Sequence, residues 1–181
     1  MMFPKKDKEV RAKEKKARKK VKKKSVKKIS LKKEKEKADK IMSIYIRLRD
    51  CLKTTNTTEL GKCYTCGNTF HFDDLQNGHF ESRRFNSTRF DENDCRIQCY
   101  SCNVCLNGNY IEYTKRLINE IGQDGVNRLH DKARTNKRFK AVDMLEIQQY
   151  FIGKIKDLAN LRYEWKRVEG KSHYKWQVVN D

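Results

Sequence analysis

Proline and long apolar runs are scarce in this chain, and acidic residues are too few to balance the basic ones. Its 181 residues hold 24 Asp and Glu against 43 Lys and Arg, a formal net charge of +19 that points to a polyanionic partner. No apolar stretch approaches the ~18 residues needed to cross a bilayer, which excludes a membrane span. The basic start is not followed by an apolar segment of signal-peptide type, so a secretory leader is not expected and an intracellular, cytoplasmic protein is. Pro4 is the single proline, and little else in the basic start would interrupt a helix. Hydrophobic residues make up only 36%, but the shortfall is concentrated near the N-terminus and the rest is long enough to bury a core.

What the chain has in excess is positive charge, and it is unevenly placed. Residues 1–40 carry 20 Lys and Arg against 6 Asp and Glu. Like charges repel and few large apolar side chains are present, so this arm is expected to be disordered or partly helical and to contact nucleic-acid backbone phosphates, with Lys19, Lys20, Lys23 and Lys24 among the contacts. A solubilising tail is the plainer alternative. Beyond the arm, Ile41, Ile44, Tyr45, Leu48 and Leu52 recur at helical spacing and predict a helix over 38–53, followed by a polar loop at 53–58. A second helix is expected over 110–121, ending at Gly122, with a further helix near 125–132. A fourth is expected over about 141–164, where Val142, Leu145, Ile147, Phe151, Ile155, Leu158 and Leu161 make a broad stripe. The expected division is therefore an arm (1–40), a helix and linker (41–60), a core (61–130) and a C-terminal helical segment (131–181).

Seven cysteines in a chain with no secretory leader argue for metal rather than disulfides. Cys63-Tyr64-Thr65-Cys66 and Cys99-Tyr100-Ser101-Cys102 are two C-x-x-C units with 32 residues between them. Each can form a tight turn presenting two thiolates, and four thiolates make a closed tetrahedral zinc site. Cys95 and Cys105 leave other ligand sets open, and Cys51 reads as a small buried apolar residue. Four sulfur ligands leave no open coordination position, so this zinc would be structural. Any chemistry must come from the segment between the pairs.

That segment places His79 just after Asn77-Gly78, a dipeptide that predicts a turn. Around it lie Asp73, Asp74, Asp91, Glu92 and Asp94, several amides, and the cations Arg83, Arg84 and Arg89. An imidazole base, oxygen ligands for a hard divalent ion and guanidinium groups for phosphate are the parts of phosphodiester hydrolysis. His71, His130 and His173 have no comparable neighbours and read as surface residues.

Two cysteine knuckles flanking Gly78-His79-Phe80, with Asn103 directly after Cys102, resemble the ββα-metal, or His-Asn-His, endonucleases. With Cys63-x-x-Cys66-Gly67, Arg89-Phe90, Gln98-Cys99, Gly108-Asn109, Tyr113 and Ile121-Gly122, the pattern is similar more narrowly to the NinG (Rap) recombination endonucleases of lambdoid phages. The resemblance spans about residues 61–130. It implies an α+β fold: a small zinc-stabilised ββα-metal core flanked by helices and preceded by a basic arm. It also implies that His79 lies on a β-hairpin and acts as the general base, while Asn103 opens the following helix and helps to bind a catalytic Mg²⁺ or Mn²⁺. Branched DNA, including Holliday junctions and D-loops, is the implied substrate, in the host cytoplasm if the chain is phage-encoded.

The sequence departs from the family where a carboxylate is expected near His79, having Gly78 immediately before it and Gln76 three residues before it. Asp73 and Asp74 are candidates for the missing ligand. Asp94, or its neighbour Asn93, occupies the position of a central bracing residue. Arg83, Arg84, Arg89, Lys115 and Arg116 are expected to form a phosphate-binding rim. Symmetric cutting of a four-way junction would need two active sites, so a homodimer is expected, with the apolar faces of 41–52 or 141–161 as candidate interfaces. The competing readings are a zinc ribbon with a basic arm that binds nucleic acid without cutting it, a ribonucleoprotein component, and a homing or host-defence nuclease.

Overall fold

The computed structural model describes residues 30–158 in full, together with the backbone of Arg162–Arg167 and Tyr174–Val179. Residues 1–29 of the expected arm, with Lys19, Lys20, Lys23 and Lys24, therefore lie outside the described residues, as do Leu161 and His173, while residues 31–40 belong to a helix rather than to the arm.

Helix α1, Leu31–Thr55, is longer at both ends than its apolar repeat predicts. At the start, Lys and Glu are good helix formers. Glu34 is also tied to Lys37 at 2.8 Å and receives Gln148 Nε2 on its backbone oxygen at 3.0 Å. At the end, Thr54 and Thr55 continue the helix by donating their hydroxyls to the backbone oxygens of Asp50 (2.7 Å) and Cys51 (2.9 Å). The loop expected from residue 53 therefore begins only at Asn56, whose φ of 55° stops the helix.

Strands β1 (Leu60–Lys62) and β2 (Thr69–His71) pair antiparallel and close the first cysteine knuckle between them. Strands β3 (Leu75–His79) and β4 (Cys95–Cys99) pair antiparallel with Leu75 opposite Cys99 and His79 opposite Cys95. Asn77-Gly78 is therefore not a turn but the interior of β3. Gly78 is needed for space rather than for a left-handed φ, because a Cβ there would stand 2.1 Å from Gln98 Oε1. A π-turn, Ser101–Cys105, follows β4 and leads to α2, Tyr110–Arg134. Gly122, at φ 75°, interrupts α2 where a helix end was expected, and the helix resumes beyond it.

Helix α3, Ala141–Asp157, packs on α1. Phe151 meets Tyr45 with ring centroids 5.4 Å apart, in a core that also holds Met42, Ile46, Leu75, Ile97 and Ile155. The apolar faces of α1 and α3 thus pack largely against each other, although Val142 and Tyr150 of α3 remain exposed. A second core joins Phe80 to Tyr113, Leu117, Val126 and Leu129 of α2. Ile111, at the start of α2, points outward at 73% exposure.

The helix expected to reach residue 164 ends at Asp157. An antiparallel hairpin of β5 (Arg162–Arg167) and β6 (Tyr174–Val179) follows it. Its sequences, RYEWKR and YKWQVV, interleave aromatic and β-branched residues with polar ones at a period of two, which suits a strand better than a helix. The architecture is α+β, with three two-stranded antiparallel sheets among the described residues.

Candidate functional site

The first knuckle is built by backbone geometry. Cys63 N–H donates to the Asn68 oxygen at 2.9 Å and Gly67 N–H to the Cys63 oxygen at 2.9 Å, with Gly67 at φ 78°. β4 brings Cys99 to this turn, and the π-turn supplies Cys102. The sulfurs of Cys63, Cys66, Cys99 and Cys102 all lie within 4.8 Å of one another, and those of Cys66 and Cys99 are 4.0 Å apart. Thiolates about 2.3 Å from a tetrahedral zinc stand roughly 3.8 Å apart, so the four cysteines could hold a zinc ion. Burial pushes the Cys63 thiol up, but the backbone N–H groups of Cys66 and Cys99, with Thr65, outweigh it and bring it down to about 6. Cys95 and Cys105 stand outside the cluster. Cys95 is wholly buried beneath His79, and Cys105 is exposed. Cys51 is buried in the main core as a small apolar residue.

Beside this centre, α1, β3 and the π-turn enclose a cavity of about 430 Å³. From β3 come Gln76, Asn77 and His79, and from the π-turn comes Asn103, whose Nδ2 donates to Gln76 Oε1 at 2.7 Å. Two residues 24 positions apart in sequence, His79 and Asn103, thus share one wall. Asn103 sits within a short π-helical segment, Ser101–Cys105, which directly follows β4 and precedes α2 at Tyr110.

His79 Nε2 stands 3.2 Å from the Arg89 backbone oxygen. A carbonyl can only accept, so Nε2 carries the proton and Nδ1 the lone pair. Burial pushes the imidazole down to about 4, keeping it neutral at physiological pH. Under it, Asp94 is completely buried, accepts the Glu81 backbone N–H at 2.7 Å on Oδ1, and has no partner for Oδ2 among the described residues. Burial raises this carboxyl to about 8. Its acceptor atom, a ring nitrogen of His79 and the Cys95 sulfur lie within 4.8 Å of one another. Asp94 therefore braces the loop after β3 from below, and exposed Asn93 does not.

Asp74 is exposed on a short 3₁₀ turn, Phe72–Asp74, and takes no part in the cavity wall, and Asp73 is exposed beside it. The carboxylate in the wall is Asp39 of α1, joined along that helix by Ser43 and Arg47. These three stand at i, i+4 and i+8, a polar stripe beside the apolar face. The spacing was visible in the sequence, but position 39 had been assigned to the arm.

The expected cationic rim is divided. Arg83 is exposed and lines the cavity, and exposed Arg84 stacks on Phe85 with its guanidinium 4.8 Å from the ring centroid. Arg89 turns inward. Its Nε reaches Asp39 Oδ1 at 2.8 Å, its Nη2 bonds Oδ2, and its Nη1 donates to the Arg83 oxygen at 2.6 Å. Lys115 and Arg116 project from α2 beside Glu112, at 3.8 and 3.3 Å, and Arg116 lines a separate depression next to Cys63. His130 is not a plain surface residue, since its Nδ1 pairs with Glu81. No helix among the described residues is long and apolar enough to cross a membrane.

Residues 3–162 match the family described as Bacteriophage Lambda NinG protein. The chain is 29% identical over 135 residues to protein ninG of Escherichia phage 933W, a match covering 71% of this chain and 60% of that one. It is 28% identical over 135 residues to protein ninG of Escherichia phage lambda, covering 71% and 59%. Over 76 residues it is 36% identical to protein ninG of Enterobacteria phage H19B, covering 42% and 37%. The matches thus span three fifths or less of the length of these relatives. No solved structure matches. The chain belongs to the NinG family of bacteriophage proteins.

Proposed function

We propose that the chain is a structure-specific DNA endonuclease of the ββα-metal class, similar to the Rap enzymes. It hydrolyses phosphodiester bonds in branched recombination intermediates such as Holliday junctions and D-loops. The observation that carries this reading is the meeting of a neutral, carbonyl-anchored His79 with Asn103 in one cavity beside exposed Arg83. A binding module has no use for an imidazole held with one nitrogen fixed and the other carrying a lone pair.

A hard divalent ion fits the donor set of the wall. Gln76, Asn77 and Asn103 offer amide oxygens, and Asn77 Oδ1 is buried with no hydrogen-bond partner among the described residues. The one carboxylate there, Asp39, is already committed to Arg89. That composition suits Mg²⁺ or Mn²⁺ retaining part of its water shell, and when bound such an ion supplies Lewis-acid stabilisation of the phosphoryl charge. His79 Nδ1 takes a proton from water as the water oxygen attacks phosphorus, and the P–O bond to the leaving sugar oxygen breaks. The Arg89 carbonyl holds the ring and stabilises its protonated form. Arg83 pairs with phosphate oxygens at the mouth.

The test is cleavage of a labelled four-way junction beside matched linear duplex, at fixed free zinc, with Mg²⁺, with Mn²⁺ or with neither added. Wild type should cut the junction only with Mg²⁺ or Mn²⁺, and His79→Ala should cut about 10²–10⁴-fold more slowly while still binding. Tight, salt-sensitive binding without cutting in either metal would overturn the reading and leave a zinc-ribbon nucleic-acid-binding protein.

A further inference from the structure

In a chain that is 37% charged, residues 97–111 contain no Asp, Glu, Lys or Arg. Among the described residues, most exposed large apolar side chains fall within this stretch: Tyr100, Val104, Leu106, Tyr110 and Ile111, at 46–73% exposure. Core packing does not explain them. Tyr110 lies with one ring face on Phe80, centroids 5.0 Å apart and planes 9° from parallel, and remains about half exposed.

The turn that carries them is stiff. Leu106 N–H donates to the Ser101 oxygen at 2.9 Å, Gly108 N–H to Asn103 at 3.0 Å and Asn109 N–H to Leu106 at 2.8 Å. Buried Gln98 anchors the Gly108 oxygen at 2.7 Å, and Asn107, Gly108 and Asn109 all take positive φ. The same turn holds Cys102 of the metal cluster and Asn103 of the cavity wall. A stiff segment that carries exposed apolar side chains therefore also supplies Asn103 of the proposed reacting centre.

We infer that this turn receives the faces of unpaired or unstacked bases at a DNA branch point. The inference rests on the nuclease reading for the identity of its ligand. A base offers a flat apolar face bordered by anionic backbone. The segment offers apolar and aromatic side chains, with Lys115 and Arg116 one turn along α2 beside Glu112, and Arg83 lines the cavity that Asn103 also lines. A second copy of the chain is disfavoured as the occupant because each copy carries +19. Five side chains also expose only a few hundred Å², below the roughly 800 Å² per partner of a stable interface. Apolar wedges and aromatic platforms are the usual means of holding an opened base step, and a paired duplex, with its bases stacked, presents no such faces. Branch preference thus originates beside the site that cuts.

The test is binding by fluorescence anisotropy at fixed free zinc with no Mg²⁺ or Mn²⁺ added, comparing a four-way junction with unpaired bases at its centre to a linear duplex of the same length. The double variant Tyr100→Ala/Ile111→Ser should lose about 5- to 100-fold of the junction-over-duplex preference, the range expected for one stacked base, with duplex affinity unchanged. Tyr100→Phe should retain the preference. An unchanged ratio in the double variant, or no preference in wild type, would overturn the inference. Sedimentation showing a wild-type dimer that the double variant dissolves would overturn it in favour of a self-interface. Because no cutting is involved, the two readings fail separately. A chain that cuts without the predicted preference loses only this inference, and one that prefers junctions but never cuts loses only the nuclease assignment.

Discussion

Gly78→Ala perturbs the position on which both the strand and the cavity depend. The new methyl carbon would lie 2.1 Å from Gln98 Oε1 and 2.8 Å from its Cδ. An ordinary carbon–oxygen contact is about 3.3 Å or more, so one partner must retreat by over an ångström. Gln98 has nowhere to go, being fully buried with its Nε2 bonded to Thr65 Oγ1 at 3.1 Å and to the Gly108 oxygen at 2.7 Å. Overpacking costs about 1–3 kcal/mol, and surrendering two such bonds costs about 1 kcal/mol each, so the substitution should destabilise the fold by roughly 3–5 kcal/mol. Urea unfolding at fixed free zinc should show this as a lower midpoint with an unchanged slope. Gly153→Ala on α3, where a Cβ meets nothing within 4 Å, serves as a control and should stabilise by about 0.5–1 kcal/mol. If crowding is the cause, Gln98→Ala and the double variant should be equally stable, since truncating Gln98 makes the room. A Gly78→Ala loss below about 1 kcal/mol, or additive losses in the double variant, would refute the argument.

Arg89 and Arg83 should behave oppositely. Arg89→Ala leaves Asp39 half-buried without its partner and should cost about 3 kcal/mol of stability, read by the same melts. Arg83→Ala should leave stability within ~0.5 kcal/mol and reduce the slope of log K against log salt for DNA binding by about 0.9. His79 titrates near 6.5 when unfolded and near 4 when folded. As pH falls through that window the unfolded chain takes up the proton first, so wild type should lose up to about 3 kcal/mol that is absent from His79→Ala, measured by melts at pH 7 and pH 4.5. Cobalt reconstitution should give the visible bands of a tetrahedral four-thiolate site. Cys66→Ser should alter them and Cys105→Ser should not.

Much of the molecule could be read before any coordinates, because it rests on local physics. The two C-x-x-C turns declare a four-sulfur site through ligand spacing alone, and the structure brings those four sulfurs together. The spacing of Ile41, Tyr45 and Leu48 marks a buried helix face, and Gly122 marks a break in α2, because both are properties of a few neighbouring residues. His79 stands out as the imidazole between the knuckles, and its pairing with Asn103 is what the family resemblance implies.

Where the sequence misleads, the deciding forces act between distant segments. Asn77-Gly78 satisfies the local rule for a turn, yet pairing with β4 makes it a strand, and Gly is required there only because Gln98 fills the space a side chain would take. Arg89 carries the same charge as Arg83, but Asp39, 50 positions earlier, draws it inward. Asp74 and Asp94 are both acids near the same histidine in sequence. Folding leaves the first in solvent and buries the second beneath the ring, while Asp39 supplies the carboxylate that neither position predicts. Residue type and spacing determined which chemistry the chain can carry. Which side chains carry it depends on long-range packing and burial, and these arise only when the helices and hairpins close on one another.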